Sequence, residues 1–329
     1  QNLISNAKAY INFNLGKING FGLAGKIYCP IKLKESPYSK IIEKETIKWA
    51  RDMRLISKKK ASLKHFIEDK TYKLACYCYA DTPYDALLTE AKMIAFMFNF
   101  DDAMDRKNTR IGINPIKMFK LIHKLIKIFC GDKNINPKNH LHRAILDITR
   151  DMDRTGKDKR PFINSFRRGF QAKVIEVKNR KKGKIYGLEA YKQLRDYGSG
   201  VEPTLEIEYL LNNINVTKKV RENIAFRAAS LLANRIISYT NDVLSLGVEI
   251  KNNDFNNIVL VKMDQDKISL EEAFKWSLKH IEDNTRAFLA WLKEFPQKEP
   301  YPAIANALKY WIRGNLEWAS QDSKRYRRF

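Results

Sequence analysis

The chain has 329 residues with 44% hydrophobic and 11% aromatic content, which supports a large buried core and excludes a disordered protein. Its 61 basic and 37 acidic residues give a formal net charge of +24. This charge favours anionic partners such as nucleic acid, an anionic membrane surface or a diphosphate compound. No apolar run approaches the roughly 18 residues that a membrane-spanning helix needs, so no transmembrane segment is predicted.

Helical periodicity dominates the chain. The clearest predicted helix covers 83–106, where Leu87, Ala91, Ile94 and Phe98 repeat at intervals of three and four. The other predicted helices cover 39–57, 61–79, 115–130, 138–154, 161–182, 187–198, 203–213, 217–249, 269–293 and 301–321. No segment alternates apolar and polar residues as a half-buried strand would. Gly, Asn and Pro mark the predicted loops at 12–37, 131–137, 155–161, 252–257 and 295–302.

These elements predict one all-α domain over residues 1–329, a helical bundle of about ten to twelve helices. It has an N-terminal segment at 1–36 and a basic C-terminal tail at 322–329. The four cysteines have no metal-ligand spacing, so no zinc site is expected. Free thiols are typical of a reducing compartment, and we expect a cytoplasmic protein. The chain begins at Gln1 rather than Met, which leaves open a removed targeting segment.

An acidic cluster ends the helix predicted at 83–106. Asp101 and Asp105 are four residues apart and share a helix face, and Asp102 lies beside them. Carboxylates near a helix C-terminus repel one another and the helix dipole, so the cluster costs stability unless a cation offsets it. Mg²⁺ fits, because it takes one or two carboxylates and completes its shell with water and phosphate oxygens. The alternative is a surface acidic patch at a helix end.

A second set of oxygen-bearing side chains follows the apolar stretch 224–239. Asn241, Ser245 and Glu249 are spaced at four and four, so a helix places them along one gently drifting stripe. An amide oxygen, a hydroxyl and a carboxylate form a weak, open Mg²⁺ site that needs phosphate oxygens to complete it. The alternative is that these are ordinary polar residues near a helix end with no binding role. The poor helix propensity of Asn and Ser counts modestly against that alternative.

The strings DDAMD at 101–105 and NDVLSLGVE at 241–249 together resemble the two metal-binding motifs of class I terpene cyclases, the terpene synthase family. Their starts are 140 residues apart (241 − 101), as in microbial-type members, and such cyclases also occur in amoebae and soft corals. The resemblance extends upstream to Cys29-Pro30, Ser36-Pro37-Tyr38 and Trp49-Ala50. It implies a single α-domain with a central active-site cavity and both motifs on facing helices at its mouth.

The resemblance also implies residues that hold a diphosphate. Family members carry a diphosphate-sensing arginine about 46 residues before the triad asparagine, which is Arg195 here, and Ser199 supplies a backbone carbonyl at the helix break after it. The C-terminal Arg325-Tyr326 pair binds the diphosphate as the tail closes over the site, where a guanidinium matches phosphate geometry. Val248 stands where relatives often carry a lysine.

The implied activity is that of a carbon–oxygen lyase, which ionises a linear prenyl diphosphate and cyclises the carbocation. The resemblance implies three Mg²⁺ ions, with Mn²⁺ as a substitute. Aromatic faces stabilise the cation, with Phe98 and Trp318 as the candidates. Geranylgeranyl diphosphate is the favoured substrate and farnesyl diphosphate comes next. We expect a monomer or homodimer, and no nucleic-acid partner.

Two alternatives compete with this interpretation. A chain-elongating prenyl diphosphate synthase shares the fold and the first motif but needs a second aspartate-rich motif, and none follows Phe170-Gln171. A basic helical nucleic-acid-binding protein would explain the net charge of +24. No helix-turn-helix, zinc-knuckle or RNP-like pattern supports that reading.

Overall fold

The computed structural model describes residues 26–57, 60–105, 114–132, 139–182, 185–252 and 254–327, without the side chains of 103–105, 180–182 and 327. The cluster predicted at 101–105 therefore lies inside the described chain, but the Asp105 side chain does not. Most of the predicted N-terminal segment 1–36 and the last two residues of the tail 322–329 lie outside the described residues.

Across these ranges every regular element is helical and none is a β-strand, which confirms the predicted all-α class. The first half contains α1 Ser39–Asp52, α2 Lys60–Asp69, α3 Thr71–Cys78, α4 Tyr84–Asp105, α5 Pro115–Phe129, α6 His140–Asp153 and α7 Arg160–Lys182. The second half contains α8 Leu188–Gly198, α9 Val201–Leu211, α10 Lys218–Glu222, α11 Ile224–Lys251, α12 Ile258–Asp266, α13 Leu270–Lys293 and α14 Tyr301–Glu317. None of these helices has the length and apolar character to cross a membrane.

Two predicted helices are divided in the structure. The helix expected at 61–79 breaks at Lys70, whose φ of 47° is left-handed and stops regular helical hydrogen bonding. The helix expected at 217–249 breaks at Asn223, which is extended and ends α10 before α11 begins. The helix expected at 301–321 changes to a π-helical turn at Trp318–Asp322, followed by a 3₁₀ turn at Arg325–Arg327.

Side-chain caps fix where several helices start. The Asn114, Asn139, Asn223 and Asn257 side chains each accept a hydrogen bond from a backbone N–H in the first turn of the helix that follows. Ser269 begins α13 with a reciprocal capping box to Glu272. These polar residues therefore fix helix starts that the apolar periodicity predicts only to within several residues.

The described residues form two compact units. The first unit combines the described parts of 1–33, 182–199 and 216–329, and the second unit combines 34–181 and 200–215. In the first unit α11 packs against α13, α14, α12 and α8. Its long apolar side is buried, with Ile237, Val243 and Leu246 at most 4% exposed. One domain over 1–329 stays a prediction.

The second unit is built around phenylalanines from three helices. Phe129 of α5 meets Phe162 and Phe166 of α7 edge to face, with ring centroids 5.0 and 4.9 Å apart. Phe170 contacts Phe100 of α4 at 4.9 Å. Offset and edge-on contacts of this kind add to the stability gained from burying the rings. They pack α4 and α5 against α7 and so support the end of α4 that carries the acidic cluster.

A pair of glutamates is buried in the same unit. Glu90 of α4 is 0% exposed and Glu208 of α9 is 5% exposed. The Asn212 amide donates to Glu90 Oε1 at 2.9 Å, whereas Glu90 Oε2 and Glu208 Oε2 have no hydrogen-bond partner among the described residues. Burial raises the pKa of both carboxyls well above the usual range, and Glu208 adds to the rise at Glu90. The protonated acids are therefore the forms that the fold favours.

We expect Glu90→Gln to stabilise the protein at pH 8 and to reduce the loss of stability between pH 5 and pH 8. A pKa raised on folding stabilises the native state below the unfolded pKa, and this stabilisation disappears as the pH rises toward the folded pKa. Each pH unit in that interval costs about 1.4 kcal/mol per group. Urea titrations across this pH range measure the effect, with Glu222→Gln at an exposed site as the control. An unchanged pH dependence in Glu90→Gln would contradict the assignment.

Candidate active site

The side chains of Asn241, Ser245 and Glu249 lie on α11, in a helix that runs unbroken from Ile224 to Lys251. The Ser245 hydroxyl donates to Glu249 Oε1 at 2.8 Å, so these two groups are within reach of one small ion. A hydroxyl that donates its hydrogen keeps its lone pairs available to a cation. The spacing of four and four thus produces the stripe of oxygen donors expected from the sequence.

The neighbouring residue Asp242 is 0% exposed and forms a buried ion pair. Arg195 of α8 donates from Nη2 to Asp242 Oδ1 at 2.7 Å. The Tyr191 hydroxyl donates to Asp242 Oδ2 at 2.5 Å, and the backbone N–H of Ile258 donates to the same oxygen at 3.1 Å. Burial raises the pKa of the Asp242 carboxyl, while Arg195 and Tyr191 favour its ionised form and limit that rise.

Arg195 also reaches the stripe. Its Nη2 donates to Asn241 Oδ1 at 3.3 Å, in addition to its contact with Asp242. The side chain is only 14% exposed, so its guanidinium is held by neighbouring groups rather than by solvent. The position found by counting back from Asn241 therefore contacts both residues of the Asn241-Asp242 pair.

The Glu249 carboxylate is held by two neutral donors. Ser245 donates to Oε1, and the Asn257 amide donates to Oε2 at 2.6 Å. Burial, followed by the charges of Asp242 and Asp254, raises the pKa of Glu249 well above its usual range. A cation beside this carboxylate would favour its ionised form, because an opposite charge offsets desolvation.

The stripe fits a hard divalent cation by its donor chemistry. Mg²⁺ takes oxygen ligands, and Asn241, Ser245 and Glu249 offer an amide, a hydroxyl and a carboxylate oxygen. Across the described residues, no group of three or more His, Cys, Asp or Glu side chains comes together as a metal site. The stripe contains only one acid, so it is a site of mixed oxygen donors rather than an acidic cage.

The C-terminal segment reaches the stripe through Tyr326. The Asn241 amide donates from Nδ2 to the Tyr326 hydroxyl at 2.6 Å. Trp318 is 0% exposed and meets the Tyr326 ring edge to face, with centroids 5.8 Å apart. The Arg325 backbone N–H donates to the Ser323 hydroxyl, which shapes the turn that carries the Arg-Tyr pair. Residues predicted separately at 241 and 326 are therefore hydrogen-bonded to each other.

Ser199 lies at the helix break expected from the sequence. Its hydroxyl donates to Asn234 Oδ1 at 2.6 Å, and the Asn234 amide donates to the Asp196 carbonyl. Asp196 also accepts two hydrogen bonds from the Arg235 guanidinium, at 2.9 and 2.8 Å. These contacts fix the end of α8 to α11.

Gly200 follows Ser199 with a φ of +81° and begins α9. A Cβ at this position would lie 2.8 Å from the Met97 methyl group, within the second unit. The left-handed backbone favours glycine at this position, whereas the Met97 methyl group is the end of a flexible side chain that can move aside.

The acidic cluster lies in the second unit, at the end of α4. Lys173 of α7 lies 3.1 Å from Asp101 Oδ1 and 3.2 Å from Glu176 Oε2. Asp102 and Phe98 are both half-buried, and Asp105 is the last residue of the helix. The Lys173 charge offsets part of the repulsion that the sequence predicts for this helix end.

The first unit thus brings together Arg195, Asn241, Ser245, Glu249 and Tyr326. Sequence reasoning missed the residues that hold them, because their contacts join distant parts of the chain. Asp242 is adjacent to a motif residue, but Tyr191 and Asn257 belong to no motif, and neither does Lys173, which contacts Asp101 in the second unit. The signal that could have found Asn257 is its position before the apolar run at 258–261, which is typical of an N-cap.

Comparisons with known proteins identify the family. A family model described as "Terpene synthase family 2, C-terminal metal binding" matches residues 92–287, which include both predicted metal motifs. The match covers more than half of the chain, and the chain belongs to the terpene synthase family, as its two motifs predicted. It is therefore an enzyme.

Individual relatives match over most of their length. Germacrene A synthase of Nostoc punctiforme is 26% identical over 91% of this chain and 94% of that protein. A (+)-T-muurolol synthase of Roseiflexus castenholzii, described as cyclizing (2E,6E)-farnesyl diphosphate, is 26% identical over 86% of this chain and 88% of its own length. The structure of germacradien-4-ol synthase from Streptomyces citricolor has a TM-score of 0.79 at 21% identity and covers 89% of this chain and 97% of that one. This structural likeness shows the terpene synthase fold.

We expect Asp242→Ala to lower the free energy of unfolding by roughly 3–5 kcal/mol, because it leaves the Arg195 guanidinium without its buried partner. Asp283→Ala provides the control, since it removes a carboxylate from an exposed pair with Lys279 on α13. That change should cost less than about 1 kcal/mol. Urea denaturation of the two variants gives the comparison, and equal losses would show that the buried pair has no special weight.

Proposed function

We propose that this enzyme ionises a linear prenyl diphosphate with the help of Mg²⁺ and cyclises the resulting carbocation, and that farnesyl diphosphate is its substrate. The observation that carries the proposal is the stripe of oxygen donors on α11, next to the largely buried Arg195, which contacts its first member. A weak magnesium site whose coordination is completed by substrate phosphate oxygens suits an enzyme that acts on a diphosphate.

The choice of a C15 substrate is supported by the relatives. Several of the similar curated proteins are named sesquiterpene synthases, and one is named for the cyclisation of farnesyl diphosphate. The preference for geranylgeranyl diphosphate came from resemblance to coral members alone, so this C20 compound becomes the second candidate. The shape of the apolar surface that folds the prenyl chain of the substrate decides between the C15 and C20 compounds. The same shape determines the product.

Diphosphate leaves an allylic carbon only when its developing charge is stabilised. Mg²⁺, when bound, would supply most of the positive charge that stabilises the leaving diphosphate. We assign Asn241, Ser245 and Glu249 to one metal position and Asp101, Asp102 and Asp105 to the acidic metal-binding motif. The assignment rests on their oxygen chemistry and on the two motifs of the family.

Positively charged and hydroxyl groups of the protein complete the diphosphate site. Arg195 and Arg325 offer planar guanidinium groups that match phosphate oxygens, and Tyr326 offers a hydroxyl donor. Tyr326 accepts a hydrogen bond from Asn241, and a phenol hydroxyl is a group that can donate to an anion. We assign Ser199 a backbone carbonyl contact with the substrate at the break after α8.

The aromatic residues have different surroundings. Trp318 is fully buried against Tyr326, and we assign it to support of the tyrosine as well as to the aromatic wall. Phe98 is half-buried one turn before Asp101, where a ring face could stabilise a passing carbocation. The released diphosphate can accept the final proton, so no dedicated base is needed.

The decisive experiment incubates the purified protein with C10, C15 and C20 prenyl diphosphates and Mg²⁺, and identifies the products by gas chromatography and mass spectrometry. We expect cyclic C15 products that disappear when EDTA removes the metal. Asn241→Ala should lower kcat/KM for farnesyl diphosphate by roughly 10²–10³-fold, the range for losing one contact that stabilises developing charge. Asn252→Ala, at an exposed position near the end of the same helix, should leave the rate unchanged.

Two outcomes would overturn the proposal. Full activity in Asn241→Ala would show that the stripe on α11 is not part of the active site. Longer prenyl diphosphates formed with added isopentenyl diphosphate would identify a chain-elongating synthase instead of a cyclase. Turnover of the C20 substrate alone would keep the cyclase activity and correct the chain length.

A further inference from the structure

Asn257 has an unusual number of contacts for a helix-capping residue. It precedes α12, and its Oδ1 accepts a hydrogen bond from the Val259 backbone N–H at 2.9 Å. The residue is 0% exposed, so every polar atom of its side chain must find a partner within the protein. The capping contact uses only the amide oxygen and leaves the two amide hydrogens.

Both hydrogens are directed at α11. Asn257 Nδ2 lies 2.6 Å from Glu249 Oε2 and 2.6 Å from the Asp242 carbonyl oxygen. The Asn257 side chain therefore forms hydrogen bonds with Glu249 of the oxygen stripe, with the Asp242 carbonyl on α11, and with the Val259 N–H in the first turn of α12. Because Oδ1 faces an N–H and Nδ2 faces two acceptors, this amide has a single orientation that satisfies all its neighbours.

We propose that Asn257 is a positioning residue that holds the Glu249 carboxylate in the orientation needed to bind a divalent metal ion. This inference rests on the proposed function, since it takes Glu249 as a ligand. The Glu249 side chain has three rotatable bonds, and fixing them when the metal arrives would cost free energy. Asn257 fixes one carboxylate oxygen beforehand, and Ser245 approaches the other.

The chemistry of the tether also matters. A lysine or arginine at this place would pair with Glu249 and compete with the cation for its charge. The neutral amide orients the carboxylate through its hydrogen bond to Oε2 and adds no positive charge beside it. Partners of this kind, which hold a metal-ligating carboxylate by a hydrogen bond, contribute about 10–100-fold to metal affinity.

Capping alone does not require these contacts. Asn223 caps α11 in the same unit by accepting from the Phe226 N–H at 3.0 Å. It is the same residue type at the same helix position, away from the oxygen stripe. Asn223 is therefore the matched control for Asn257.

The test compares Asn257→Ser with Asn223→Ser. Serine caps a helix about as well as asparagine, but it lacks the amide donors. Binding of Mn²⁺ in the presence of inorganic diphosphate is measured by electron paramagnetic resonance, alongside thermal unfolding. We expect the Mn²⁺ dissociation constant to rise about 10–100-fold in Asn257→Ser and to stay within twofold of wild type in Asn223→Ser.

A double-mutant cycle separates positioning from general destabilisation. In a Glu249→Gln background, Asn257→Ser should weaken Mn²⁺ binding by less than about twofold, because the group that it orients has lost its charge. An equal loss in both backgrounds would overturn the proposal, as would unchanged Mn²⁺ binding in Asn257→Ser alone.

A second variant covers the case in which Asn257→Ser fails to fold. Asn257→Asp keeps the shape and the capping oxygen but places a carboxylate against Glu249, so the two repel and Mn²⁺ binding should weaken. Binding at or above the wild-type level would overturn the proposal.

Failure of the positioning role and failure of the proposed function give different results. If the wild type binds Mn²⁺ and consumes farnesyl diphosphate while the Asn257 variants bind Mn²⁺ as tightly, only the positioning role is wrong. If the wild type neither binds Mn²⁺ nor consumes any prenyl diphosphate, both are wrong.

Discussion

The buried Asp242 carboxylate is the constraint on which the polar side of the first unit depends. An unpaired charge at 0% exposure would cost several kcal/mol, so its neighbours must supply positive charge and hydrogen bonds. They come from two helices: Tyr191 and Arg195 on α8, and the Ile258 N–H at the start of α12. The requirement to satisfy one acid therefore fixes α8 and α12 against α11, the helix that carries Asp242.

The same requirement explains why adjacent residues of one motif behave differently. Consecutive residues on a helix point about 100° apart, so Asp242 turns into the protein while Asn241 lies at its edge. Arg195 contacts both and joins the structural side of the motif to the side proposed to bind metal. Tyr326 then extends the hydrogen bonds to the C-terminal turn. A ligand bound at the stripe would thus contact a hydrogen-bond network that includes Tyr326, 85 residues along the chain from Asn241.

Sequence patterns predicted the parts of this molecule that depend on local spacing. The helices and the stripe at 241–249 follow from intervals along the chain, whereas the position of Arg195 was implied by the resemblance to terpene cyclases. The separate helix α12 was missed because its first four residues, Ile258 to Val261, are at most 1% exposed and show no polar face. The breaks at Lys70 and Asn223 interrupt continuous apolar patterns, so periodicity runs through them. Asn257, Tyr191 and Lys173 act across distances in sequence that spacing rules do not cover.

Gly200 limits how the enzyme can be altered. Its left-handed backbone conformation strains most other side chains, whatever the chemistry of the substrate. Libraries that randomise the loop between α8 and α9 in search of new products would lower the stability of most variants changed at this position. Diversity introduced on the faces of the flanking helices has a better prospect, because those positions can vary without disturbing the turn.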